Sequence, residues 1–194
     1  MMKPFLFFVL MLCCHSCTQK KAAQTVSTDV NEKEMYSVIN IVLHDLQPDE
    51  MAEGNQTPYL ADQLSEPEFV SANPYLMPKI DSLLGGDVHF MQSQVKKWKG
   101  FILNQKRIKY KTLISAKKLD QMLDFKAADR AATFFRNYQQ AFGDKRFIRI
   151  SMPIFSRDKK RFYIDISRVG SGCGYVYIKK KSGWVHYSLG MWVS

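Results

Sequence analysis

The sequence predicts an α+β fold in which N-terminal helices pack on a C-terminal four-stranded antiparallel meander. Before residue 146 the apolar residues recur at the three-to-four spacing of helices, and after it they alternate with polar residues. Short turns separate the alternating runs, which is typical of an antiparallel sheet with one buried face. Helices first and strands last indicate the α+β class, and we expect residues 31–194 to form a single domain.

The first predicted helix begins with a capping box, Asn31-x-x-Glu34. Pro48 ends it, because proline cannot continue a helix. Residues 47–72 are acidic and interrupted by prolines, so we expect a long irregular loop there. The apolar residues that predict the buried stripe of this helix are Met35, Val38, Ile39, Val42 and Leu46.

Further helices are predicted between residues 73 and 143. Asn73-Pro74 begins one that ends at Gly85-Gly86, and Asp87 caps a turn or two between Val88 and Trp98. Residues 100–114 are expected to be extended. The remaining signals are a helix from Ser115 to Leu123 and a stronger one from Ala127 to Ala141, which Gly143 ends.

The sheet is predicted within residues 146–194. Tyr187 and Met191 belong to the apolar set of the last strand, and Trp184 and Trp192 belong to the opposite set. Two interpretations remain for the tryptophans, which either pack under the helices or form an exposed aromatic strip. The alternating apolar residues of the four strands are Ile148, Ile150, Met152 and Ile154; Phe162, Ile164 and Ile166; Val176 and Ile178; and Val185, Tyr187, Leu189 and Met191.

Residues 1–16 have the features of an export signal. Lys3 precedes an eight-residue apolar run, Phe5–Leu12, which is too short to span a bilayer. Ser16-Cys17 then resembles the lipobox of bacterial lipoproteins, which implies cleavage before Cys17 and lipidation of that cysteine. Residues 17–30 are polar and are expected to form a flexible tether, so we expect a lipid-anchored domain in the periplasm or at the cell surface.

Two alternatives exist for the N-terminal cysteines. A plain signal peptide would remove them without lipidation. A metal or redox site would use Cys13, Cys14, His15 and Cys17, but adjacent cysteines do not easily share one ion and no second ligand pair follows. We therefore expect no metal site. The chain has no phosphate-binding loop or dinucleotide fingerprint either, so we expect no cofactor.

The net charge of +10 and the pI of about 9.4 favour anionic partners. An export signal makes nucleic acid an improbable partner and favours anionic lipid, lipopolysaccharide or an envelope protein. The candidate binding residues are Lys96, Lys97, Trp98 and Lys99, where cations alternate with an aromatic side chain. The competing interpretation is an ordinary solvated face.

Cys173 and His186 are the one candidate catalytic pair. After cleavage and lipidation Cys173 is the single remaining thiol, and the two residues fall in neighbouring predicted strands. The competing interpretation is that Cys173, flanked by Gly172 and Gly174, packs as a small apolar residue.

The C-terminal half also carries a family pattern: Ser151-x-Pro153-Ile154-Phe155-Ser156, then Gly172-Cys173-Gly174, then Lys180-Lys181-x-Gly183-Trp184 and a final Trp192-Val193-Ser194. It resembles a group of uncharacterised secreted or lipid-anchored proteins of Bacteroidota-type bacteria. The resemblance implies no activity. The function that we expect is a non-enzymatic envelope lipoprotein that binds an envelope component or partner protein. The alternatives are an inhibitor or immunity-type lipoprotein and a small cysteine hydrolase.

Overall fold

A computed structural model describes residues 29–47, 57–71 and 74–193. These residues form an α+β fold with six α-helices and one seven-stranded mixed sheet. Within the described ranges, no helix has the length and apolar character needed to span a membrane. The predicted signal peptide, the lipidation site Cys17 and most of the predicted tether lie outside the described residues.

Helix α1 (Glu32–Asp45) begins as its sequence predicts. The Asn31 side chain accepts a 3.0 Å hydrogen bond from the Glu34 N–H, and the Glu34 carboxylate accepts one of 3.0 Å from the Asn31 N–H. This reciprocal pair satisfies two N–H groups that a helix end would otherwise leave without partners. The buried side of the helix is lined by Met35, Tyr36, Val38, Ile39, Val42 and Leu43.

The next segment contains three helices, α2 (Glu68–Ser71), α3 (Met77–Leu84) and α4 (Val88–Trp98). A 3-10 turn, Pro74–Leu76, precedes α3, and left-handed Gly85 ends α3 with a φ of 108°. Asp87 caps α4 by accepting a 2.9 Å hydrogen bond from the Phe90 N–H. The predicted cap is confirmed, and α4 is a full three turns rather than one or two.

Two helices precede the C-terminal strands. Helix α5 (Ala116–Gln121) is capped by Ser115 as predicted, and helix α6 (Arg130–Phe142) ends at Gly143 as predicted. Helix α6 begins at Arg130 rather than at Ala127, because the Asp129 carboxylate accepts a 2.9 Å hydrogen bond from the Ala132 N–H. A 3-10 turn, Gln105–Arg107, interrupts the segment that was expected to be extended.

The sheet is larger than the four-stranded antiparallel meander that the sequence predicts. The strand bounds are β1 Tyr59–Ala61, β2 Thr112–Ile114, β3 Phe147–Ile150, β4 Ile154–Phe155, β5 Arg161–Arg168, β6 Ser171–Lys180 and β7 Gly183–Val193. The main order of the strands is β2-β1-β3-β5-β6-β7, and β4 pairs with β5 beside β3. Strands β2, β1 and β3 are parallel, whereas β3, β5, β6 and β7 are antiparallel.

The two additional strands come from segments in which apolar and polar residues show no regular alternation. Strand β1 lies inside the predicted irregular loop 47–72, and β2 lies at the end of the predicted extended segment 100–114. Each has three residues, too few to show alternation. The first predicted strand of the meander is also divided into β3 and β4, because the chain leaves the regular ladder around Pro153, which has no N–H to donate.

Helices cover both faces of the sheet. A large buried cluster joins α1, α3 and α4 to the central strands, and a smaller aromatic cluster lies between α5, α6 and strands β1, β2 and β3. In the second cluster Phe134 and Tyr138 of α6 pack on Phe147 of β3, with ring centroids 6.2 and 5.1 Å apart. Helix α6 therefore lies against the beginning of β3.

Neither predicted set of β7 residues is buried as a whole, because Leu189 of the predicted buried face packs against the core together with Trp184 of the other set. Trp184 packs on Phe162, with ring centroids 5.0 Å apart, whereas Tyr187 is 55% exposed and Met191 is 84% exposed. Packing is thus the correct interpretation for Trp184; the side chain of Trp192 lies outside the described part of the chain. The prediction failed because the bulge at Leu189 interrupts the alternation of β7. Trp184 lies opposite Lys179 and Met191 lies opposite Cys173, so Trp184 and Met191 share one face although their numbers differ in parity.

Two lysines hold the start of the described domain. Lys97 donates hydrogen bonds of 2.7 Å to the Asp29 carboxylate and to the Val30 carbonyl. Lys159, in the turn between β4 and β5, donates to the Asp29 carbonyl at 2.9 Å and to the Glu34 carboxylate at 2.9 and 3.1 Å. The chain therefore enters the domain beside the beginning of β5.

Candidate functional site

The predicted basic binding stretch is only partly available for a ligand. Trp98 is 7% exposed and packs edge-on against Phe101, with ring centroids 5.2 Å apart. Lys97 is bound to Asp29 and Val30, and Lys99 lies 2.7 Å from the Glu66 carboxylate. Lys96 is exposed. Trp98 thus supports the core and two of the three lysines have acidic partners, and ligand binding by this stretch stays a prediction.

The structure does not bring Cys173 and His186 together. Cys173 pairs with Met191 across the β6–β7 ladder, whereas His186 pairs with Tyr177, four residues further along β6. That register separates the two side chains by about 13 Å at roughly 3.3 Å per residue. The Cys173 Sγ lies instead 3.0 Å from the Ser188 hydroxyl, and His186 Nδ1 lies 3.8 Å from the Asp45 carboxylate. Cys173 is 8% exposed, as expected for a packing role.

A concave surface lies between helix α6 and the turn that joins β5 to β6. It consists of two adjoining cavities of about 630 and 540 Å³. They share Phe135 of α6, Phe147 of β3, and Arg168 and Val169 at the turn. We call this surface the α6–turn groove. Each of the two cavities lies within the ~300–1,000 Å³ range of small-molecule sites.

The groove combines apolar side chains with an excess of cations. Phe135 is 49% exposed and Val169 is 44% exposed, so both present apolar surface to solvent. The charged residues that line the two cavities are five cations, Arg130, Lys145, Arg146, Arg149 and Arg168, and one acid, Asp144. An anion that also has apolar groups is the ligand that such a lining would complement.

The five cations differ in their partners, and the Arg130 guanidinium lies 5.8 Å from the centre of the Phe125 ring. Arg149 is bound to the Asp120 carboxylate at 2.8 Å. By contrast, Arg130, Arg146 and Arg168 form no ion pair with any acid in the described part of the chain. An arginine offers several N–H donors in a planar fork, which suits carboxylate and phosphate oxygens.

The wall of the groove is held in place by hydrogen bonds. The Tyr138 hydroxyl donates to the Lys145 carbonyl at 2.8 Å, and the Gln139 side chain donates to the Asp144 carboxylate at 2.8 Å. Burial, with the neighbouring Tyr59, raises the pKa of Tyr138 to about 12, so its hydroxyl remains a neutral donor at ordinary pH. These bonds fix the loop between α6 and β3 that carries Lys145 and Arg146.

The groove and the entry point of the chain lie at opposite ends of β5. Asp29 contacts Lys159 just before β5, whereas Arg168 is the last residue of β5 and Val169 follows it. The eight residues of β5 span about 23 Å. A tether attached at Asp29 would therefore leave the groove on the side of the domain away from its attachment point.

Sequence reasoning did not find the groove. Its residues come from α6, β3 and the β5–β6 turn, and no spacing along the chain connects them. The available signal was an arginine beside an apolar residue at a turn, Arg168-Val169, which is too common to be informative alone. In the described residues there is also no group of three or more His, Cys, Asp or Glu side chains that could hold a metal.

Comparison of the chain with protein-family models, with curated proteins and with solved structures finds no match in any of the three.

Proposed function

We propose that this chain is a non-enzymatic, lipid-anchored protein of the cell envelope that binds an anionic amphiphile in the α6–turn groove. The observation that carries the proposal is a set of three arginines, Arg130, Arg146 and Arg168, which have no ion pair within the described ranges and lie around the exposed side chains of Phe135 and Val169. The arginines would bind the anionic group, and the two apolar side chains would contact the hydrocarbon part of the ligand.

A lipid phosphate is the anion that the proposed location supplies. The export signal and the cysteine after Ser16 support anchoring through Cys17, and phospholipid or lipopolysaccharide then lies within reach of the domain. Because the groove lies at the far end of β5 from the entry point of the chain, its ligand would be a detached amphiphile rather than the membrane that holds the anchor. The protein would thus bind or carry an amphiphile.

Binding of short-chain phosphatidylglycerol below its critical micelle concentration tests this proposal, with short-chain phosphatidylcholine as the uncharged comparison. The protein would carry Cys17→Ser, so that no attached lipid competes for the groove. We expect measurable binding of phosphatidylglycerol and a loss of at least about tenfold with Arg168→Glu, because a charge-assisted bond is worth about 1.5–3 kcal/mol. The matched control is Lys180→Glu, an exposed cation that does not line the groove.

The apolar half of the groove has its own test. Phe135→Ala should weaken phosphatidylglycerol binding, whereas Tyr75→Ala, which truncates a 91% exposed aromatic outside the groove, should not. Equal binding of both lipids, or equal effects of Arg168→Glu and Lys180→Glu, would contradict the proposal. The anchor is tested separately: incorporation of a fatty-acid label into the parent chain and its absence in Cys17→Ser would support lipidation.

A further inference from the structure

The two edges of the sheet are protected to very different degrees against pairing with a further strand. The β2 edge has three residues and leads through Ser115 into helix α5, and short edge strands recruit other strands poorly. The β7 edge, Gly183–Val193, has eleven residues. Within the described part of the chain, β7 pairs with β6 alone, and no backbone hydrogen bond reaches it from its other side.

Strand β7 lacks most of the features that keep sheet edges apart. Its eleven residues include no Lys, Arg, Asp, Glu or Pro, in a chain where 24% of the residues are charged. One protective feature is present, a bulge at which Leu189 has no partner on β6 and Gly190 has a φ of 138°. The regular and unprotected part of the edge is therefore Gly183–Ser188.

We propose that Trp184–Ser188 is a dimerisation edge that pairs antiparallel with the same segment of a second copy of this chain. Residues that face each other across an antiparallel ladder lie on the same side of the sheet. A two-fold axis at His186 meets this condition: it places Trp184 opposite Ser188 of the second copy, and Val185 opposite Tyr187. The pairing is self-complementary, as a two-fold interface requires.

The positions of the charges favour a second copy in this orientation. Lys179, Lys180 and Lys181 lie at the β6–β7 tip, directly before the edge. Antiparallel pairing about His186 separates the two Lys181 residues by about 33 Å. This distance is well beyond the Debye length of ~8 Å at physiological ionic strength, so the two charges would repel each other little. Parallel pairing would place the two tips side by side. The nearest acid, Asp45, contacts the His186 ring from helix α1 rather than from the open edge.

The pairing has a preferred side-chain contact. Val185 is half-buried, and Tyr187 is 55% exposed. Across the proposed ladder, Val185 of each copy lies beside Tyr187 of the other, an aromatic and β-branched pair of the kind that stabilises antiparallel strands. The dimer would thus cover part of the exposed tyrosine on both copies.

Disulfide trapping tests the register directly. A ladder centred on residue 186 places the two facing Cα atoms about 4.5–5.5 Å apart, within the range that a disulfide bridges. His186→Cys should therefore give a covalent dimer under mild oxidation. Ser182→Cys is the matched control, because it is exposed on the same hairpin but would lie about 26 Å from its counterpart. The parent protein, with its buried Cys173, sets the background.

Sedimentation of the full-length mature protein supplies the second measurement. We expect the parent chain to form dimers and Tyr187→Lys to raise the dissociation constant at least tenfold. Met191→Lys places the same charge beyond the bulge and should change the constant less than threefold. Thermal unfolding of each variant confirms folding. A parent chain that remains monomeric at high micromolar concentration, or equal trapping at residues 182 and 186, would overturn the proposal. So would trapping of residue 186 to a different protein.

Discussion

The side-chain amide of Gln94 forms two reciprocal hydrogen bonds with the backbone of Phe155. Gln94 Nε2 donates to the Phe155 carbonyl at 2.9 Å, and the Phe155 N–H donates to Gln94 Oε1 at 2.9 Å. Gln94 is 3% exposed and Phe155 is 2% exposed. A helix side chain thus supplies the bonds that a neighbouring strand would otherwise give to the two-residue strand β4, and it fastens α4 to the sheet.

Replacing Gln94 should destabilise the fold. Gln94→Ala leaves a buried N–H and a buried C=O without partners, and we expect a loss of about 2–4 kcal/mol in the free energy of unfolding. Urea denaturation measures this loss. The control is Gln92→Ala, at an exposed position of the same helix, which should change stability by less than about 0.5 kcal/mol. Similar values for the two variants would show that the hydrogen-bond pair contributes little.

The buried carboxyl of Asp165 should make stability depend on pH. Burial raises the pKa of Asp165 to about 6, although hydrogen bonds from the Tyr163 hydroxyl and the Glu68 N–H oppose the rise. In the unfolded chain the pKa is near 3.8. Between these values the folded state binds more protons than the unfolded state, so this group's stabilising contribution is complete below about pH 3.8 and is lost as the pH rises through 6.

Asp165→Asn tests that dependence. From pH 4 to pH 7 the free energy of unfolding of the parent should fall by about 2–3 kcal/mol relative to that of Asp165→Asn. The size follows because one pKa unit corresponds to about 1.36 kcal/mol. Asp87 and Asp158 have lowered pKa values, so their contributions change below pH 3.8, outside this window. If the difference in unfolding free energy between the two proteins does not vary with pH, the pKa of Asp165 is not raised in the folded state.

Gly174 should not tolerate a larger residue. A Cβ at this position would lie 2.7 Å from the Tyr163 hydroxyl oxygen and 3.2 Å from an Asp165 carboxylate oxygen. Because Tyr163 is fully buried, we expect Gly174→Ala to cost about 1–3 kcal/mol in thermal or urea unfolding. The cost should be smaller in a Tyr163→Phe background, which removes the nearest atom. An equal cost in both backgrounds would locate the strain elsewhere.

The Cys173 thiol should react slowly in the native protein. It is 8% exposed and lies 3.0 Å from the Ser188 hydroxyl, without an imidazole beside it. We expect alkylating reagents to modify it only after denaturation, and Cys173→Ser to leave lipid binding by the groove unchanged. Rapid native alkylation, together with a thiol-dependent hydrolytic activity that Cys173→Ser abolishes, would favour the cysteine hydrolase instead.

Local signals accounted for much of the fold. The capping box at Asn31 and Glu34, the caps at Asp87 and Ser115 and the terminal Gly143 were all readable, because a cap depends on residues three or four positions apart. The long strands were readable for the same reason, since alternation over eight or more residues is visible within one segment.

The candidate site was not predictable in the same way. The basic stretch around Trp98 looked open because composition does not reveal that Asp29 and Glu66 lie beside its lysines. The three arginines of the α6–turn groove that form no ion pair with a described acid are separated by up to 38 positions in the chain, from Arg130 to Arg168. Only the packing of α6 against β3 and the β5–β6 turn places them around one cavity.

By itself the sequence determined the α+β class, the ends of most helices and the positions of the antiparallel strands, since each depends on neighbours in the chain. Tertiary structure alone decided that Tyr59–Ala61 and Thr112–Ile114 join the sheet as parallel strands, that β7 buries Trp184 rather than Tyr187, and that Cys173 lies far from His186. The reason is that parallel pairing, strand register and the choice of buried face depend on contacts between segments distant in sequence, which no local pattern records.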